Sequence, residues 1–277
     1  MQSVYKIQGP AIISFSGGRT SGYMLYHILE AYDGKLPDDV VVAFANTGKE
    51  RSETLDFVND CSGYWGVPIN WLEFRVTNKR KQDFVIVDYE SASRHGEPFD
   101  QLIHKKNYVP HTMGRYCTIE LKIGVIRKFG REVMEFKHWN TAIGLRADEG
   151  NRVKKLNEAN AKNKDPWTSY APMFDAGVTE DDVFAFWREQ PFDLQLESHE
   201  GNCDLCFLKG ANKISRILRE NPELAQWWIS KESITNTRFR LDRPKYKDLL
   251  EGVLSQQEFN FGIFDDETSC DSNGCTD

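Results

Sequence analysis

Four short stretches of this chain carry residue types that do chemistry. The first is Ile12-Ile13-Ser14-Phe15-Ser16-Gly17-Gly18-Arg19-Thr20-Ser21, an apolar run that ends in Ser-Gly-Gly and passes straight into helical spacing. A strand feeding a glycine turn and then a helix gathers free backbone N–H groups and the positive helix end at one point. That is an anion site, and phosphate is its usual occupant. The glycines at 17 and 18 let an oxyanion approach the backbone closely. The hydroxyls of Ser14, Ser16, Thr20 and Ser21 add donors, and Arg19 adds fixed charge. The Walker spacing and its lysine are absent. The second stretch, Asn46-Thr47-Gly48, closes another apolar run. The third, Gly144-Leu145-Arg146-Ala147-Asp148-Glu149 with Arg152, offers guanidinium groups for phosphate oxygens and, in Asp148 and Glu149, carboxylates for Mg²⁺.

The fourth stretch is Cys203-Asp204-Leu205-Cys206, whose spacing suits metal ligands but supplies only two of them. Cys117 is the best partner, since it precedes a helical pattern whose N-terminal field is expected to lower a thiol pKa. Zinc with a further ligand such as Cys61, Cys275 or a histidine is one metal reading, and Cys61 also reads as a small buried hydrophobe. Cys270 and Cys275 stand in an acidic C-terminal stretch, which raises a thiol pKa and argues against a nucleophile there.

The elements that position these stretches follow from periodicity. Residues 11–15, 40–45, 69–74, 84–87 and 141–145 read as strands, and the continuous apolar run at 40–45 fits a strand covered on both faces. Leu25, Ile28, Leu29 and Tyr32 mark a helix closed by Gly34 and Pro37. Leu55 with Val58, and Leu121 with Val125 and Phe129, mark two more. Thr179 and Asp182 form a capping box. Residues 91–116 lack a period and read as loop with short helical pieces, and the polar stretch 153–165 reads as a mobile surface loop that acts as a lid. Helices are expected over 213–220 and 222–230.

This alternation predicts an α/β fold: a Rossmann-like open, mostly parallel sheet with helices on both faces, plus a mainly helical C-terminal region carrying the C-x-x-C pair. The expected division is residues 1–195 and 196–277. In such sheets ligands lie at the carboxyl ends of strands, so the turns after Phe15, Ala45 and Leu145 share one edge.

At 277 residues, with 40% hydrophobic and 28% charged residues, the chain is long enough for a sizeable core. A net charge of −7 argues against a general polyanion binder, the basic run at 75–81 notwithstanding. No apolar stretch has the length of a membrane span and no signal-peptide layout is present, so a cytoplasmic location is expected. There, six cysteines point to metal or redox chemistry more than to disulfides.

Taken in order, these motifs resemble those of the PP-loop, or adenine nucleotide alpha hydrolase, superfamily, and within it the phosphoadenosine phosphosulfate (PAPS) reductase family. Ser14–Ser21 resembles the S-G-G-x-[DT]-S phosphate loop. Ala45-Asn46-Thr47-Gly48-Lys49-Glu50 with Glu53-Thr54-Leu55-Asp56-Phe57-Val58 resembles the nucleotide-binding segment, and Gly144–Glu149 with Arg152 the G-x-R-x-x-E-x-x-R element. Tyr170-Ala171-Pro172-Met173 with the Thr179 box resembles the stretch that closes that core. The resemblance spans residues 10–190.

It implies an adenine nucleotide (ATP with Mg²⁺, or PAPS) bound by Ser14, Ser16, Gly17, Gly18, Thr20, Ser21, Asn46, Thr47, Gly48 and Gly144. Arg19, Arg146, Glu149 and Arg152 are the implied catalytic residues. Thr20 stands where many ATP-cleaving relatives have Asp. Arg115-Tyr116-Cys117-Thr118 is similar to the stretch where iron–sulfur sulfonucleotide reductases carry a Cys-Cys pair, but Tyr116 replaces the first cysteine.

Cys117, Cys203 and Cys206 then resemble the three-cysteine 4Fe–4S arrangement of cluster-dependent PP-loop tRNA thiolases, which leaves one iron open. The implied reaction is cleavage of ATP to AMP and pyrophosphate to activate an acceptor for sulfur transfer. The alternatives are reduction of PAPS or adenosine phosphosulfate to sulfite, and a nucleotide-binding module without catalysis. The sulfur or electron donor is unspecified, and a nucleic-acid acceptor and a homodimer both fit the pattern.

Overall fold

The computed structural model describes residues 4–76, 82–197 and 199–255. Its centre is a six-stranded sheet: β1 (Ala11–Phe15), β2 (Val40–Asn46), β3 (Ile69–Val76), β4 (Gln82–Val87), β5 (Trp139–Ile143) and β6 (Trp167–Tyr170). The spatial order is β4-β3-β2-β1-β5-β6. Every neighbouring pair is parallel except β3 and β4. The chain winds outward from β1 to β3 and then returns to lay β5 against the other side of β1. The order therefore reverses between β1 and β5, and a ligand crevice opens at the carboxyl ends of those two strands.

Both faces of the sheet are covered, as the alternation of side chains along β1 demands. Ala11, Ile13 and Phe15 join an apolar cluster with Met24, Leu25 and Ile28 of α1 (Arg19–Ala31), Leu55, Phe57 and Val58 of α2 (Ser52–Trp65), and Val183 and Trp187 of α7 (Glu180–Arg188). Ile12 points the other way, into a cluster with α3 (Glu97–Lys106), α4 (Gly124–Glu132), α8 (Ala211–Glu220), α9 (Ala225–Thr235) and α10 (Tyr246–Leu254). The C-terminal helices are thus part of the second face: Leu205, Phe207, Ile214 and Trp228 share one cluster with Phe74 and Phe129. The C-terminal acidic stretch with Cys270 and Cys275 lies outside the described residues.

Two sequence expectations are corrected. Residues 150–162 form a helix, α5 (Gly150–Lys162), not a mobile loop. Its one apolar stripe, Val153 and Leu156, packs with Leu145, Ala171 and Phe174, and Asn160 Nδ2 donates to the carbonyl of Ser169 at 2.8 Å. Ala, Lys, Glu and Asn make an exposed helix with little apolar content, which polarity alone misreads. The stretch read as loop over 91–116 holds a ten-residue helix, α3, started by Gly96 at positive φ and carrying Phe99, Leu102 and Ile103 inward. The remaining short helix, α6 (Pro172–Asp175), leads into the Thr179–Asp182 capping box, which is formed as expected. Among the described residues no helix is long and apolar enough to cross a membrane.

A candidate nucleotide and cysteine site

The glycine turn after β1 folds as its composition requires. Gly17 has φ +81°, and a Cβ there would stand 2.8 Å from Thr54 Cγ2 and 3.1 Å from the Phe44 ring. Gly18 caps α1 in extended conformation. Ser21 Oγ sits inside the turn, accepts the N–H groups of Ser16 and Gly18 at 3.2 Å each, and donates to Gly18 O at 2.9 Å. Backbone donors, a hydroxyl and a helix start therefore converge on one point.

The second turn is built around carboxylates. Asn46 is fully buried, donates to Glu73 at 2.7 Å and to Ser93 O at 2.9 Å, and accepts the N–H of Gly48. Gly48, at φ +77°, lies so close to the backbone of Gly96 that a Cβ would be 3.0 Å from it. Glu50 Oε2 accepts the N–H and hydroxyl of Thr47 at 2.8 Å each, while Oε1 lies 3.5 Å from Lys122 Nζ and 3.8 Å from Cys203 Sγ. The second turn and the cysteine loop are thereby joined through one buried side chain.

The third turn, after β5, brings Arg146 in from the other side. Its guanidinium is nearly buried, lies 3.3 Å from the Thr20 hydroxyl, and pairs with Asp148, Glu149 and Glu180. Those carboxylates keep Arg146 firmly protonated against the opposing effect of burial. Glu149 also accepts the N–H of Arg146 and ion-pairs with Arg152. Asp148 and Glu149, expected as Mg²⁺ ligands, are both engaged by arginine. Gly144 presses against the backbone of Ser21, 3.3 Å from where a Cβ would stand, so the first and third turns touch.

Arg19 lines the cavity and is also engaged by the chain itself. Its guanidinium holds the segment 193–196: Nε and Nη2 bond Asp193 at 2.8 Å each, and further N–H groups bond the carbonyls of Leu194 and Leu196. That segment begins a strap laid over the glycine turn. Asn202 Nδ2 donates to Ser16 O at 2.9 Å, Arg51 N donates to Asn202 O at 2.7 Å, and Cys203 pairs with Glu50 as an antiparallel bridge.

The C-x-x-C loop that follows is anchored from all sides. Asp204 forms a 2.6 Å ion pair with Lys49 and accepts Trp228 Nε1 at 2.9 Å. Lys209 bonds the carbonyls of Cys203 and Asp204, Arg243 those of Phe207 and Lys209, and Tyr246 that of Leu205.

Cys117 opens a π-helical turn, Cys117–Ile123, that runs into α4. The expected lowering of its pKa by a helix N-terminus does not occur. Burial, then the neighbouring Cys206, push the thiol up to about 11. Burial and Glu50 raise Cys203 well above the usual thiol range, with a further contribution from Cys206. Cys206 thus neighbours both Cys117 and Cys203, and none of the three is in a disulfide. Tyr116, at the position where the resembled reductases have a cysteine, is buried, and its hydroxyl donates to Tyr108 O.

One cavity of about 610 Å³ unites these parts. Ser14, Ser16, Arg19, Thr20, Ser21, Thr47, Gly144, Arg146, Arg152, Cys117, Cys203 and Cys206 all line it. Gly17, Gly18, Asn46, Gly48 and Glu149 do not line it; they shape the turns behind it. Sequence reasoning missed Lys49, Lys122, His199, Asn202 and Lys209, which also line the wall. Lys49 directly follows the second turn and Asn202 directly precedes the C-x-x-C pair, so proximity in sequence was the available signal for those two. No spacing rule marks the others.

No group of three His, Cys, Asp or Glu among the described residues stands at the spacing of a single bound ion. Cys61, weighed as a further ligand, is fully buried on the other face of the sheet with Phe57 and Val58.

The uncharacterized nin region protein ORF290 of Escherichia phage lambda is 30% identical to this chain over 234 residues, 83% of this chain and 76% of that protein. The chain belongs to that protein's family. Uncharacterized protein MJ0066 of Methanocaldococcus jannaschii is 23% identical over 236 residues, covering 80% of this chain but 41% of its own length, so the family member spans less than half of that relative. No protein-family model matches the chain. A solved structure titled U34-tRNA thiolase NcsA from Methanococcus maripaludis with its 4Fe–4S cluster aligns over 97% of this chain and 80% of that one, at 16% identity and a TM-score of 0.43. A superposition that loose carries no function across.

Proposed function

We propose that this ORF290 family member is a PP-loop enzyme that cleaves ATP to AMP and pyrophosphate, activating an acceptor for sulfur transfer. The observation that carries this reading is the single cavity lined by the glycine turn, by Arg146 and Arg152, and by Cys117, Cys203 and Cys206. An anion site and three cysteines outside any disulfide, lining one space, would bring a nucleotide phosphate and sulfur chemistry within reach of each other.

The phosphates lie on the Ser16–Gly18 turn at the start of α1, with Arg146 and Arg152 against the oxygens that gain charge as pyrophosphate departs. Lys49, Lys122 and Lys209 add positive potential along the wall, so an anionic ligand is favoured although the whole chain is acidic. Mg²⁺ enters with the phosphates. Thr47 lines the cavity, so on this reading the second turn is available to the adenine.

The donor set fits an iron–sulfur cluster: three soft ligands outside any disulfide, of which Cys117 and Cys203 have thiols raised by burial, an effect that a bound metal would oppose. Cys117, Cys203 and Cys206 would hold it. With three protein ligands such a cluster would leave one iron without a protein ligand.

Two assays run side by side test the reading: pyrophosphate release from ATP, and sulfite release from PAPS with a thiol or dithionite reductant. Pyrophosphate without sulfite supports the proposal. Sulfite production with no ATP turnover overturns it in favour of sulfonucleotide reduction. Tight ATP binding with neither product makes the chain a nucleotide-binding module.

A further inference from the structure

Lys209 is the most deeply buried cation on the wall of this cavity, 2% exposed. It follows Cys206 by three residues, and its Nζ donates to the carbonyl of Cys203 and, at 2.9 Å, to that of Asp204. The side chain is thereby folded back onto the loop that carries both cysteines. Its position beside Cys203 is fixed by that hydrogen bond, whichever way the cavity lies.

Most cations on this wall have carboxylate partners. Lys49 pairs with Asp204 at 2.6 Å, Lys122 with Glu50 at 3.5 Å and Arg19 with Asp193 at 2.8 Å, while Arg146 and Arg152 share Glu149. Lys209 has no carboxylate within ion-pair distance among the described residues. The Asp204 side chain, close by in sequence, is taken by Lys49 and by Trp228 Nε1. A lysine is rarely buried without a counterion, and two carbonyl dipoles offset only part of the cost. The group that adjoins it is Cys203. Burial and then Glu50 push that thiol up, and Lys209 is among the charges that work the other way.

We infer that Lys209 is the counter-charge of the cysteine centre, a positioning residue whose ammonium balances the negative charge that Cys203 and its partners carry as metal-bound thiolates. This rests on the reading of Cys117, Cys203 and Cys206 as cluster ligands. The side chain acts in two ways. Its hydrogen bonds set the path of the loop at Cys203 and Asp204, and its charge acts through an interior that screens poorly. A neutral donor supplies the first and not the second. Positive charge beside the ligands favours the extra electron of a reduced cluster, so Lys209 holds the reduction potential up.

The test takes the full chain, reconstituted anaerobically with iron and sulfide, and measures iron content and reduction potential in wild type and three variants. Lys209→Arg keeps charge and donors, Lys209→Gln keeps a donor without charge, and Lys209→Met keeps neither. Lys209→Gln and Lys209→Met are both expected to lose iron or, where iron is retained, to fall in potential by about 59 mV or more, a tenfold change in a one-electron equilibrium. Lys209→Arg is expected to match wild type in both readings.

A Lys209→Gln chain with the iron content and potential of wild type overturns the inference, even if its ATP affinity falls, because the charge then serves the phosphates alone. A Lys209→Arg chain as impaired as Lys209→Gln overturns it too, since charge is then not what the cysteines require. Failure of the wild type itself to take up iron overturns the cluster reading instead.

Discussion

The Lys49–Asp204 pair lies between the second turn and the C-x-x-C loop, and its removal has a calculable cost. The charges are 2.6 Å apart, with side chains 9% and 6% exposed. Lys49 Nζ also lies 5.0 Å over the Trp227 ring. Asp204→Asn keeps an oxygen for Trp228 Nε1 and for the N–H of Leu205, so the change removes charge with little loss of shape. It leaves a lysine buried without its counterion, which costs about 3–5 kcal/mol. In a chain of this size each kcal/mol moves the melting midpoint by about 2–4 °C, so a drop of about 6–20 °C is expected.

Lys49→Met combined with Asp204→Asn removes both charges and is expected to recover most of that loss, because no uncompensated ion remains. Differential scanning calorimetry of the two single variants and the double variant closes the cycle. An Asp204→Asn midpoint equal to wild type, or a double variant as unstable as the sum of the singles, would refute the claim that this pair fastens the two halves of the cavity.

Other perturbations follow from the same geometry. Gly17→Ala places a Cβ in the left-handed region and against Thr54, costing about 1–2 kcal/mol in backbone conformation before any clash, and ATP affinity by calorimetry is expected to fall. Asp193→Ala frees Arg19 and the strap; limited proteolysis is expected to cut near 193–197 faster than in wild type. Thr179→Ala removes the α7 cap. The hydroxyl and N–H of Thr179 hold the Asp182 carboxyl below its usual range, so this contribution is present at neutral pH and fades as pH falls below about 4. The melting difference between wild type and Thr179→Ala is therefore expected to be clear at pH 7 and to shrink at pH 3. Cys203→Ser with Cys206→Ser is expected to abolish iron retention in anaerobic preparations, whereas Cys61→Ser retains it.

The motifs that could be read from sequence are those in which local chemistry and topology agree. The runs ending at Phe15 and Ala45, and the one before Arg146, each pair an apolar strand with a glycine-containing turn, and a parallel sheet puts such turns on one edge. Gly17 and Gly48 could be recognised because only glycine meets their positive φ and close backbone approach. The α5 helix was misread because its interior contact is a narrow stripe, Val153 and Leu156, inside a polar surface. The pairing of Arg19 with Asp193 could not be read, because nothing local announces a partner so far along the chain. The pKa of Cys117 was argued from its place at a helix start, whereas burial decides it. His199 shows no periodicity or spacing signal at all; its environment is set by Glu220 on a helix that packs against the opposite face of the sheet.

The central claim is that nucleotide and cysteines share one cavity. The electron paramagnetic resonance spectrum of anaerobically reconstituted, dithionite-reduced protein tests it most directly, recorded before and after addition of Mg·ATP. A 4Fe–4S signal whose g-values shift on adding ATP, and which is lost with Cys203→Ser plus Cys206→Ser, is the expected result. A chain that takes up no iron, or a cluster signal indifferent to saturating ATP, would contradict it.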